Sequence, residues 1–215
     1  GELRHQGRIM PVMVTRPILL VGAGGHARAC IDVIEQDARF VVIGLIGQPH
    51  EVGTRVLAYP VLGTDADLPC VLREHACAAA LVGVGQIKTP TPRMRLFDLL
   101  EGSGCELPVI VSPHAYVSRH AVIGAGSIVM HGAIVNAGAV IGRNCILNSL
   151  ALVEHDAVIG DHCHISTGAA VNGGVRIGEG TFVGSHSSVR EGLTIGDYCV
   201  IGMGERVLTD GCAHS

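Results

Sequence analysis

From Val117 to Val207 an aliphatic residue stands at every sixth position, with no insertion: Val117, Ile123, Val129, Val135, Ile141, Leu147, Val153, Ile159, Ile165, Val171, Ile177, Val183, Val189, Ile195, Ile201 and Val207. A period of six matches neither the 3.6-residue turn of a helix nor the two-residue alternation of a half-buried strand. It fits a parallel β-helix, in which each hexad makes one flat face and stacked neighbours bury a continuous core. A second period sets the coil. Ile-Gly recurs at Ile123, Ile141, Ile159, Ile177 and Ile195, eighteen residues apart, so three hexads close one triangular coil and the sixteen hexads give about five coils.

The repeat also names the neighbours. Residues eighteen apart should stack at roughly one inter-strand spacing, ~4.8 Å. One column then reads Ala137, His155, Gly173, Glu191, and the next reads Gly138, Asp156, Gly174, Gly192. Four residues after the aliphatic comes a second inward position, usually small (Ala133, Ala139, Ala157, Ala169). Cys145, Cys163 and Cys199 fall on it, so they read as core filling. The chain has eight cysteines and no CxxC pair, which excludes a zinc ribbon or thioredoxin-like motif; free thiols in a reducing, cytoplasmic compartment are expected. Gly or Asn often follows the aliphatic (Gly124, Asn136, Gly142, Asn148, Gly160, Asn172), where tight corners with positive φ are expected. A narrow bore of this kind also accounts for 30 glycines, no Trp and 3% aromatic residues.

Upstream of Pro113 the pattern differs. Pro17 to Gly22 and Phe40 to Ile46 read as buried strands, Gly25 to Gln36 as a helix, Ala79 to Val84 as a strand and Arg93 to Leu100 as a helix. Alternating strand and helix means βαβ units, a parallel sheet and a half-size doubly wound domain. The expected division is a sugar-nucleotide-binding α/β domain over 17–112 and the β-helix over 113–209. A net charge of −4 without a Lys/Arg stripe argues against nucleic acid as a partner. The longest apolar runs, such as Phe40 to Gly47, fall far short of the ~20 residues of a membrane span.

Two constellations could carry chemistry. Gly22-Ala23-Gly24-Gly25-His26-Ala27 follows a strand and opens a helix, the context of a phosphate-binding loop. A nucleotide or nucleotide-sugar phosphate is the leading reading, an unliganded tight turn the alternative. A redox dinucleotide would want an acid at the end of the second strand, where Gly47 and Gln48 stand. The second constellation is Glu154-His155-Asp156, with His164 nine residues on. A neutral imidazole can take a proton near pH 7, the adjacent carboxylate can orient it, and the Gly173 N–H one coil away could steady an oxyanion. Those are parts for acyl transfer to an amine or hydroxyl; the plainer alternative is an exposed corner histidine. The γ-type carbonic anhydrases also use hexapeptide β-helices, but their histidine spacing is not met, and His162 with His164 lacks an evident third ligand, so no metal is expected.

The loop "VGAGGHA", the stretch "VNAGAVIGRNCILNSLALVEHDAVIGDHCHISTGAAVNGGVRIG" and the order of the two halves resemble bacterial sugar acetyltransferases of the NeuD/PglD type, over about residues 17 to 209. The resemblance implies a small Rossmann-like domain followed by a left-handed parallel β-helix, a homotrimer, and acetyl-CoA as co-substrate. It implies N-acetylation of a nucleotide-linked amino sugar of the 4-amino-4,6-dideoxy type. O-acetylation of a sialic acid is the alternative, and a non-catalytic scaffold or nucleotide-binding module the reading of another class. By resemblance His155 is the general base, Asp156 its acidic neighbour and Gly173 the amide facing the thioester carbonyl. His164, Ser185 and Met203 contact the coenzyme; Asn148 lies near the active site, and Gly24, Gly25 and His26 hold the nucleotide sugar. Relatives that bind a uridine sugar often carry two aspartates where Gly47 and Gln48 stand, so the base is left open.

Overall fold

A computed structural model, which describes residues 15–211, consists of an open α/β sheet followed by a three-sided prism. The first part comprises β1 (Arg16–Val21), α1 (Gly25–Asp37), β2 (Phe40–Ile46), β3 (Arg55–Val56), β4 (Tyr59–Gly63), α2 (Leu68–Glu74), β5 (Ala79–Val82) and α3 (Thr91–Gly102). Four strands run parallel in the order β4-β2-β1-β5, with β3 antiparallel on the edge beside β4. Alternate residues of β1 feed two layers. Ile18 and Leu20 pack with Ala27, Cys30, Ile31 and Ile34 of α1, while Leu19 and Val21 pack with Leu96, Phe97 and Leu100 of α3. A strand covered on both faces must be apolar throughout, which is why "PILLV" shows no alternation.

The second part stacks two-residue strands into three parallel sheets of six, five and six strands, a left-handed parallel β-helix. The register is the eighteen-residue period: Val135 pairs with Val153, Ile141 with Ile159 and Leu147 with Ile165. The stack begins with Ile110–Val111, which pairs with Ile128–Val129. The second residue of each strand points inward, and Val135, Val153, Val171, Ile165 and Val183 are fully buried together with Ala139, Cys145, Cys163 and Ala169.

The corners correct one expectation. Positive φ does not fall on the residue after the aliphatic but two further on, at Gly126, Gly138, Asn144, Leu150, Asp156, His162, Gly168, Gly174 and Gly192 among others. Gly124, Gly142 and Gly160 are needed for room instead. A Cβ on Gly124 would come within 2.6 Å of the Gly142 carbonyl carbon in the next coil. The thiols need a correction too. Cys30, Cys70, Cys77, Cys105, Cys145 and Cys163 are free, but Cys199 is disulfide-bonded.

The two parts share a buried seam. Ile110, Ile128, Met130 and Ile146 of the prism join the α1 layer in one apolar cluster. Arg93 of α3 is wholly enclosed there, donating to the Val82 and Val84 carbonyls (2.8 Å each) and to the Asn144 carbonyl (3.1 Å). Burial lowers its pKa to about 10, so it remains charged near neutrality. A chain of bonds from Asp32 Oδ2 to His131 Nε2 (2.8 Å) and from His131 Nδ1 to Ser112 Oγ (2.6 Å) clamps α1 to the first coil. It has the composition of a Ser-His-Asp triad, but Ser112 is buried.

Among the described residues no helix is long and apolar enough to cross a membrane. Inward and outward residues of one strand should respond differently to truncation. Ile177→Ala, in the core, should cost ~2–5 kcal/mol, whereas Arg176→Ala, exposed beside it, should leave the urea midpoint nearly unchanged.

Candidate active site

The turn from strand Leu152–Val153 to strand Val158–Ile159 carries His155 and Asp156 on an edge of the prism. Asp156 adopts φ +61°, a left-handed conformation that Asp tolerates better than most residues. Its carboxylate lies over Gly138 one coil below, where a Cβ would come within 2.4 Å of Asp156 Oδ1. His155 Nδ1 bonds Asp156 Oδ2 at 2.9 Å. A carboxylate only accepts, so Nδ1 carries the proton and Nε2 presents a lone pair. That bond raises the His155 pKa above its ordinary value, and Glu154 adds to the effect. Glu154 Oε2 accepts from Asn136 Nδ2 (2.8 Å) and from the His155 N–H (3.2 Å), fixing the turn.

The expected column holds. The His155 ring lies against Gly173, with Nε2 2.7 Å from where a Gly173 Cβ would stand. The Gly173 carbonyl accepts from Gly192 N, while among the described residues its N–H donates to none. A basic nitrogen and a free amide donor therefore sit together, the imidazole largely exposed to solvent.

Asn148, His164, Ser185 and Met203 assemble elsewhere. With Ile87, Ser166, Phe182, Val200 and Gly202 they line a groove of about 470 Å³ along the sheet that contains His164–Ile165. The His164 ring is buried. Its Nδ1 donates to the Gln86 carbonyl (2.6 Å), its Nε2 accepts from Asn148 Nδ2 (3.1 Å), and Phe182 meets it edge-on at 5.2 Å. Desolvation lowers its pKa to about 4, so it is neutral. Gln86 and Ile87, in the loop after β5, complete this wall; no periodicity marks them in the sequence. Asn148 and His155 stand at opposite ends of one face, the one built on Leu152–Val153.

The glycine loop divides. Gly22 takes φ +118° against Val84, and Gly24 caps α1 and lines a cleft of about 210 Å³ with Ala23, Gly47, Gln48, Glu51 and Asp65. Gly25 is exposed at the first turn of α1, with open space beside it. His26 turns the other way, into the seam, 6.5 Å from the His164 ring; its Nε2 is enclosed without a partner and burial lowers its pKa to about 3. Among the described residues, no group of three or more His, Cys, Asp or Glu side chains is placed to hold a metal ion.

Comparison with known proteins matches residues 17–97 to the PglD N-terminal domain, and 138–173 and 174–204 to the bacterial transferase hexapeptide repeat. No curated protein sequence matches. Among solved structures, a variant of perosamine N-acetyltransferase from Caulobacter crescentus, in complex with CoA and GDP-perosamine, is 32% identical; the match covers 92% of this chain and 91% of that one, with a TM-score of 0.84. The acetyltransferase domain of PglB from Neisseria gonorrhoeae FA1090, in complex with acetyl coenzyme A, is 30% identical over 92% of this chain and 93% of that one, with a TM-score of 0.82. With both halves matched in order and these neighbours aligned along nearly the whole length, the chain belongs to the NeuD/PglD-type family of hexapeptide-repeat sugar acetyltransferases.

Proposed function

We propose that this protein transfers acetyl from acetyl-CoA to the amine of a nucleotide-linked amino sugar of the 4-amino-4,6-dideoxy type, by direct transfer in a cytoplasmic homotrimer. The observation that carries the reading is the His155 Nε2 lone pair held against Gly173 with its free N–H. The perosamine N-acetyltransferase neighbour, solved with CoA and GDP-perosamine, supplies the substrate class. The apolar groove of Phe182, Val200 and Met203, with the Ser166 and Ser185 hydroxyls, suits the arm of a coenzyme and leaves the acetyl end near Asn148 and His164.

In this reading the acceptor amine attacks the thioester carbonyl and gives its proton to His155 Nε2. Asp156 stabilises the imidazolium that forms, the Gly173 N–H faces the developing oxyanion, and the coenzyme leaves as its thiol. No cysteine is required, since direct attack suffices once both substrates are held together. The same parts would serve a hydroxyl acceptor; the cleft at Gly24 favours a nucleotide-linked amine over a free sialic acid. His155→Ala should lower kcat by ~10²–10⁴ while leaving acetyl-CoA binding and melting temperature unchanged. The pH profile has a definite sign. The base works unprotonated, and Asp156 raises its pKa, so kcat/KM falls as pH drops through that raised value. Asp156→Asn should move this acid limb to lower pH; a limb that stays put or rises would remove His155 from the role.

The placing of the parts supports the trimer. Within one chain, His155 and the groove occupy different edges of the prism. The outward columns Tyr116 and Ile134, and Val122 and Val140, leave two apolar stripes exposed on the two faces that the α/β domain does not cover. A second and third copy would cover them and bring one subunit's His155 to the next subunit's groove. Val200→Glu, placing a carboxylate in the groove, and His155→Ala should each be inactive alone. Co-expressed, they should recover up to about a quarter of wild-type activity, the random-mixing share of intact junctions; a site contained in one chain would recover none.

A further inference from the structure

The second strand of the sheet ends at Ile46, and Gly47 and Gln48 stand where a doubly wound nucleotide domain carries its acid. A carboxylate is nevertheless there. Glu51 closes a tight turn back onto the strand end: its N–H donates to the Gln48 carbonyl (2.9 Å), and its Oε2 accepts the Gln48 N–H (2.7 Å). Oε2 lies only 2.8 Å from the place a Cβ on Gly47 would take. The bare Gly47 is therefore what lets the carboxylate reach the end of the strand. Glu51, Gly47, Ala23 and Gly24 line the same cleft, and among the described residues Glu51 Oε1 has no partner.

We propose that Glu51 substitutes for the strand-end acid and accepts hydrogen bonds from the ribose hydroxyls of the nucleotide, so that the cleft selects ribonucleoside diphosphates over their 2′-deoxy counterparts. The inference rests on the nucleotide-sugar reading above and deepens it. A carboxylate repels a diphosphate, which belongs at the Gly24 cap of the thirteen-residue α1. It can only accept, and ribose hydroxyls are donors. Its distance from the loop selects the sugar rather than the base. The Cβ position of Gly47 is 3.1 Å from Ala23 Cβ, so the carboxylate is next to the phosphate loop, on the side of the strand end, within reach of the ribose attached to the diphosphate there. The base is one ring further out.

Calorimetry on the purified full chain with GDP, 2′-deoxy-GDP, UDP and 2′-deoxy-UDP tests this. The wild type should bind each ribonucleotide about tenfold or more tighter than its deoxy partner, as loss of one charge-assisted bond requires. Glu51→Ala should erase the preference for both bases and Glu51→Gln should keep part of it, with acetyl-CoA affinity and melting temperature unmoved. Equal binding of ribo and deoxy forms by the wild type, or a preference that survives Glu51→Ala, overturns the proposal. So does a Glu51→Ala variant that loses GDP affinity alone while the ribo-to-deoxy ratio persists, which would make Glu51 a base reader. If the wild type binds none of the four at millimolar concentration, the failure lies in the nucleotide-sugar reading itself.

Discussion

Everything in this molecule depends on the register of the stacked coils. Each two-residue strand pairs with the strand eighteen residues away, so one residue is always inward, its neighbour always outward, and every corner repeats its own geometry. That regularity has a cost at the corners, where from Gly126 to Gly204 a left-handed residue recurs once per hexad. Glycine accepts it freely; Asp156, His162 and Tyr198 accept it at the expense of backbone strain. At Asp156 and His162 the side chain of the strained residue also makes a bond. The Asp156 carboxylate, stacked over Gly138, holds the His155 ring, and His162 Nδ1 anchors Asn144 beneath the α/β domain.

The seam between the halves is polar at its centre, which is unusual for a core. Arg93 is a buried cation whose Nη1 and Nε are satisfied by three carbonyls and by no carboxylate. Charge–carbonyl bonds are strong in a low-dielectric interior, and their geometry leaves little freedom. The three acceptors come from the end of β5, the loop beyond it and the Asn144 corner, so a single side chain ties the α/β sheet to the prism. The loop it holds continues to Gln86, whose backbone carbonyl accepts from His164 Nδ1 and whose side-chain amide donates to the Gly180 carbonyl. The groove wall is thereby fixed to the prism rather than left as a free loop.

Much of this was legible in the sequence because the period is a coordinate system. The column His155–Gly173 follows from counting eighteen and appears in the structure, where His155 Nε2 lies 2.7 Å from the place a Gly173 Cβ would take. Asn148, His164, Ser185 and Met203, singled out by resemblance, line one groove, which no single spacing in the sequence announces. What was not legible is equally physical. Glycine answers two needs, space and positive φ, and a sequence does not say which; the corners were therefore placed two residues early. β3, β4 and α2 escaped notice because they are short, and prolines at Pro60 and Pro69 read as breaks. Glu51 escaped because it reaches the strand end through a turn, not along the strand. His26 belongs to the loop motif in sequence, yet the first turn of the helix rotates it away from the cleft, a rotation that spacing within a motif does not reveal.

Three histidines show how far environment, rather than residue type, sets chemical capacity. His155 is exposed and bonded to a carboxylate, so its proton affinity is raised and its Nε2 is free. His164 is enclosed, with a carbonyl on one nitrogen and an amide donor on the other; both lone pair and proton are already committed, so it can shape the groove but not shuttle protons. His26 is enclosed with an unpartnered nitrogen, beside the Arg93 charge and the His164 ring, both of which oppose protonation. A ring that neither ionises nor pairs is a filler between the glycine loop and the groove wall. Its ring stands 6.5 Å from that of His164, whose Nε2 accepts from Asn148. The Asp156–His155 pair lies on a different edge of the prism from that contact, so the exposed imidazole and the enclosed one are set by separate surroundings within one chain.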